Sequence, residues 1–91
     1  MTPADAQALQ DNATARGTWL IWLVTHHDLE YPDRFVACVH TLDHHGGVYL
    51  PGALVAETLE TLRAQLPAGL TRYNRTSLLP AEVIETWETL A

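Results

Sequence analysis

Residues 18–26 read Thr-Trp-Leu-Ile-Trp-Leu-Val-Thr-His, with apolar side chains at odd and even positions alike. A strand alternates its side chains between two faces, so a run that is greasy at both parities predicts a central strand covered on both sides. A 91-residue chain has room for one core and one domain around such a strand. Its 47% apolar and 18% charged content is that of a globular chain.

The neighbouring segments supply partners. Arg34–Leu42 contains Phe35-Val36-Ala37-Cys38-Val39 and predicts a second strand, after a charged loop turned by Pro32. Gly46-Gly47 suits a tight connection, after which Val48-Tyr49-Leu50 can pair briefly before Pro51 and Gly52. Val55, Leu59, Leu62 and Leu66 recur at helical spacing and predict an amphipathic helix over 53–66, with Glu60 and Arg63 paired one turn apart on its outer side. Residues 79–90 fit either a helix or a strand. The density of β-formers in Val83-Ile84-Glu85-Thr86-Trp87 favours the strand, with Val83, Glu85 and Trp87 on one face.

At the front of the chain, Thr2, Pro3 and Asp5 form a capping-box start for a helix over 2–16 that Gly17 stops. Its apolar face is thin (Ala6, Leu9, Ala13), which predicts a loosely docked arm. The expected architecture is therefore α+β: a helical arm over 1–17, then a domain over 18–91 with a three- to four-stranded antiparallel sheet in β-β-α-β order and one packed helix. One helix covers one face of the sheet. The other face needs the arm, a second copy or a partner.

Charge narrows the function classes. Eleven acids oppose five bases, the formal charge is −6, and every base is an arginine. Such a chain repels phosphate, so neither nucleic acid nor an anionic membrane surface is an expected direct partner. The first apolar block, Trp19–Val24, is too short to span a bilayer, and the expected compartment is the cytoplasm. Cys38, the sole cysteine, sits in an apolar run and reads as a small buried thiol.

His40, His44 and His45 with Asp28 have a metal-like look, yet on strands His40 and His44 lie about 13 Å apart at roughly 3.3 Å per residue. Tetrahedral zinc wants four convergent ligands. Asp28, Glu30 and Asp33 share a loop too open for acid–base work, Ser77 is the only serine, and Gly46-Gly47 lacks the helix and lysine of a phosphate loop. The expectation is no catalytic residue, no metal and no cofactor, hence not an enzyme; a metal-dependent enzyme centred on His40, His44 and Asp28 ranks third.

The order Trp22-x-Val24, Tyr31-Pro32-Asp33-Arg34-Phe35-Val36-Ala37, Val55–Arg63, Leu66-Pro67-x-Gly69-Leu70 and Val83-Ile84-Glu85-Thr86-Trp87 resembles a group of small uncharacterised bacterial and phage proteins. That resemblance spans residues 18–88, implies a strand–strand–helix–strand domain and transfers no catalytic residue. In size and charge the chain is also similar to anti-CRISPR proteins, whose acidic surfaces occlude nucleic-acid-binding grooves of host complexes. The leading expectation is thus an acidic protein-binding module, an inhibitor of a host defence complex carried by a phage or mobile element. Its docking residues would be Asp28, Glu30, Asp33, Glu57, Glu60, Glu82, Glu85 and Glu88. A homodimeric regulatory or housekeeping protein is the alternative.

Overall fold

The structure is a computed structural model and describes residues 1–26, 30–43, 46–74 and 82–89. It is α+β, as the patterning predicts, with a richer sheet. Helix α1 (Pro3–Ala15) is followed by β1 (Trp19–His26), β2 (Phe35–Asp43), β3 (Gly46–Tyr49), β4 (Leu54–Ala56), α2 (Leu59–Gln65), β5 (Thr71–Asn74) and β6 (Val83–Glu88). Six antiparallel strands lie in the order β3-β2-β1-β6-β5, with β4 also paired to β2. The doubly apolar β1 is central, between β2 and β6.

Local signals explain most of the boundaries. Thr2 caps α1 reciprocally with Asp5: the Asp5 N–H donates to Thr2 Oγ1 and the Thr2 N–H to Asp5 Oδ2. At the other end Gly17 takes φ 71°, and the N–H groups of Gly17 and Thr18 donate to the carbonyls of Thr14 and Ala13. This is a Schellman stop, which needs a left-handed residue that glycine supplies without strain.

Four expectations are corrected. Helix α2 does not begin at residue 53. Leu54, Val55 and Ala56 form a strand along the edge of β2, and Thr58 caps the helix by accepting from the Thr61 N–H. The helical spacing of Val55 coincided with a period of two: Leu54 and Ala56 are buried while Val55 is half-buried. Backbone bonding to the open edge of β2 outweighs one more turn of helix.

The N-terminal helix is not a loose arm. Ala6, Gln10 and Ala13 are buried in it, and the fully buried Trp22 donates its indole N–H to Gln10 Oε1 at 2.8 Å. Small alanines allow close approach to the sheet, and the buried amide offsets the thin apolar stripe.

The sheet also has more strands than three or four. β3 and β4 are two pieces of one edge interrupted at 50–53, and Thr71–Asn74 adds β5 on the far side. A register shift at Val24/Thr25 places Val83 opposite Thr25 but Glu85 and Trp87 opposite Val24 and Trp22, so the three do not share one face.

The main core lies between the sheet and the helices. Leu20, Trp22 and Val24 of β1, Ala37 and Val39 of β2, Leu54 and Ala56 of β4, Leu62 of α2, and Ala6 and Ala13 of α1 compose it. On the second face Leu23, Val36 and Val83 are buried outside that cluster.

Candidate functional site: the acidic end of the sheet

The pairing pattern brings separate stretches of sequence to one end of the sheet. β1 ends at His26, opposite Phe35 at the start of β2, and the two rings stack with centroids 4.2 Å apart. Ala56, the last residue of β4, pairs with Phe35 as well. The His26 N–H donates to the Glu82 carbonyl, which brings the start of β6 alongside. Glu30 and Asp33 in the β1–β2 connection, Glu57 after β4, Glu60 in the first turn of α2 and Glu82 before β6 therefore gather at this end. All five are exposed. Among the described residues the arginine at this end is Arg34, and its guanidinium is held by Glu57 at 2.7 Å.

Beside this rim is a cleft of about 590 Å3 lined by Met1, Glu30, Tyr31, Val36, Cys38, Gly52 and Ala53. Its wall offers a carboxylate, an aromatic ring that is 40% exposed, a thioether and a thiol, and among the described residues no arginine, lysine or histidine side chain. A guanidinium or ammonium with an apolar stem matches that chemistry.

The remaining acidic candidates lie elsewhere. Glu85 is not a docking residue. It is buried beneath α2, where Arg63 donates from Nε to Oε1 at 2.9 Å and from Nη2 to Oε2 at 2.6 Å. Trp87 Nε1 donates to the same Oε1 at 3.0 Å, and Arg72 stands 3.9 Å away. Burial by itself raises the Glu85 carboxyl, but the hydrogen bonds from Arg63 and Trp87 and the charges of Arg63 and Arg72 outweigh it and hold the group below its ordinary value. Hydrogen bonding to Glu85 in turn raises Arg63. Arg63 thus turns inward to the sheet rather than to Glu60. Glu88 is half-buried on the second face, and Asp28 lies outside the described residues.

Most of the described arginines stand beside carboxylates. Arg34 and Arg63 are paired with carboxylates and Arg72 approaches one, which leaves Arg16 as the described arginine with no such neighbour.

The second face of the sheet carries the other candidates. One row across it runs Tyr49, His40, Ile21, Glu88, Thr71, and the next runs Cys38, Leu23, Thr86, Tyr73. Cys38 and His40 share this face, as their spacing predicts. His40 is within hydrogen-bonding distance of the Thr41 carbonyl (Nδ1 to O, 3.1 Å), while His44 and His45 lie outside the described residues. Among the described residues no three His, Cys, Asp or Glu side chains converge as metal ligands would. Trp19 and Trp22 point to opposite faces: Trp22 is saturated by Gln10, whereas the buried Trp19 Nε1 has no acceptor among the described residues.

No family model, curated protein or solved structure matches the chain. No helix among the described residues is long and apolar enough to cross a membrane.

Two features escaped the sequence reading. The Arg63–Glu85 pair spans 22 residues, and no local spacing signals it. The cleft draws on Met1, the β1–β2 connection, β2 and the 50–53 interruption, segments that only the sheet register assembles.

Proposed function

We propose that this chain is a non-catalytic protein-binding module whose acidic end docks on a basic, nucleic-acid-binding surface of a target protein. An inhibitor of a host CRISPR-type defence complex, borne by a phage or mobile element, is the biological role that fits it best. The observation that carries the reading is the convergence of Glu30, Asp33, Glu57, Glu60 and Glu82 on one end of the sheet, where the arginine among the described residues, Arg34, is already paired. Carboxylates so placed mimic a phosphate track, steer a basic partner and are paired on docking. The adjoining cleft, with Glu30 and Tyr31 in its wall, takes one arginine or lysine side chain of that partner.

The test is target-nucleic-acid binding by a panel of purified CRISPR-type effector complexes, measured with and without the full chain. Inhibition of at least one complex is expected. It should weaken with rising salt and vanish in the triple variant Asp33→Lys, Glu60→Lys, Glu82→Lys, which alters exposed side chains only. No inhibition across the panel, or inhibition indifferent to charge reversal, would overturn the reading.

A further inference from the structure

Strand β3 is an edge unlike the rest of this acidic surface. Its four residues, Gly46-Gly47-Val48-Tyr49, carry no charge, and Val48 and Tyr49 are 62% and 67% exposed, the highest values among the large hydrophobic residues described. Folded proteins usually protect such edges with a charge, a proline or a cover. Here Pro51 follows the strand, and lysine is absent from the chain.

The Leu50 N–H donates to the Val39 carbonyl at 2.9 Å, in the same register that pairs Val48 with Thr41 and Gly46 with Asp43. Bonded and non-bonded pairs alternate along antiparallel strands, so Val48 and Gly46 bond inward to β2. Gly47 and Tyr49 then turn their N–H and C=O groups outward, and among the described residues neither makes a further backbone bond. Four backbone groups face away from the sheet.

We infer that β3 pairs antiparallel with β3 of a second copy, about a two-fold axis at Val48, and joins two sheets into one. This register satisfies all four groups: Gly47 exchanges two hydrogen bonds with Tyr49 of the second copy, and Tyr49 does the same with Gly47 of that copy. The surface is self-complementary, as a two-fold interface requires. Val48 meets its own counterpart across the axis, where directly opposed residues of a non-bonded pair stand closest. Each Tyr49 comes opposite a glycine, over which the His40 ring of the other copy lies; within one copy the His40 and Tyr49 rings are already 5.3 Å apart. Neutrality matters as well, since two chains of −6 approach most easily where neither carries an acid. On the helix side, a groove of about 310 Å3 that includes Thr41, the pairing partner of Val48, mixes apolar Leu9, Leu20 and Leu50 with polar Asn12 and Arg16. The pairing is independent of the target proposed above.

The experiment is sedimentation equilibrium of the full chain over a wide concentration range. Wild type should show a monomer–dimer equilibrium. Val48→Lys opposes two ammonium groups at the axis and should weaken the dimer by about tenfold or more. Val48→Glu should do the same, and an equimolar mixture of the two variants should recover a one-to-one heterodimer, which a misfolded variant would not do. Amide exchange provides a second readout: the Gly47 and Tyr49 N–H groups should gain protection as concentration rises. A wild type monomeric throughout, a dimer insensitive to both substitutions, or Gly47 and Tyr49 amides that exchange freely in the dimer would each overturn the proposal.

Discussion

Arg63 grips Glu85 with two parallel hydrogen bonds and so fastens α2, a helix of only seven residues, to β6. A helix that short has little stability of its own and depends on tertiary contacts. Arg63→Ala would leave a carboxylate whose side chain is 6% exposed without its main partner. Removing one partner of a largely buried pair costs roughly 2–4 kcal/mol, discounted here because Arg63 is partly solvated. Chemical denaturation should show that loss, and Glu60→Ala, on the exposed side of the same helix, should cost well under 1 kcal/mol by the same measurement.

The pair also sets a pH dependence. With its folded value held below the ordinary 4.5, Glu85 contributes stability that is fully present above that value and lost as the pH falls through the folded one. In Arg63→Ala the burial of the carboxyl is opposed by less, so its folded value rises and acidification relieves the variant. The stability gap between wild type and variant should narrow from about pH 7 to about pH 3.5 in urea titrations. A constant gap would mean that Glu85 does not titrate as described.

Two tryptophans of β1 should respond to the same substitution by different amounts. Trp22→Phe removes the donor that Gln10 accepts and leaves a buried amide oxygen unpaired, with an expected loss of about 1–3 kcal/mol beyond that of the smaller ring. Trp19→Phe removes a buried donor that has no acceptor among the described residues, so its loss of ring area should be largely offset. Thermal melts of both variants decide the matter, and a Trp22→Phe, Gln10→Leu double-mutant cycle isolates the hydrogen bond.

Gly47 is required by close approach rather than by its backbone angles. A Cβ there would stand 2.5 Å from His40 Nδ1 and 2.7 Å from the Thr41 carbonyl oxygen. The imidazole can move; the backbone carbonyl cannot without distorting β2. Gly47→Ala should destabilise the chain by roughly 1–3 kcal/mol, and the prediction fails if the melting temperature is unchanged.

Much of the fold was legible in the residues because its signals are local. The capping box at Thr2–Asp5, the Gly17 stop and the doubly apolar β1 each depend on side chains within a turn or a strand of one another, and each lies where the patterning places it. Leu59, Leu62 and Leu66 likewise mark α2, though not its start. Leu54–Ala56 satisfied a helical period and an alternating one together, and only the vacant edge of β2 chose between them. β5 gave too short a pattern, Thr-Arg-Tyr-Asn, to be read without its neighbour β6.

The sequence by itself determined a β-rich single core around β1, the acid surplus and a surface poor in bases, because composition and short-range periodicity survive any arrangement of the chain. Tertiary structure decided which carboxylates face out together and which one is consumed inside: Glu30, Asp33, Glu57, Glu60 and Glu82 meet at one end, while Glu85 is taken by Arg63. Strand register sets those distances, and register is a property of pairing between segments far apart in the chain, where a shift of one residue moves a side chain to the opposite face.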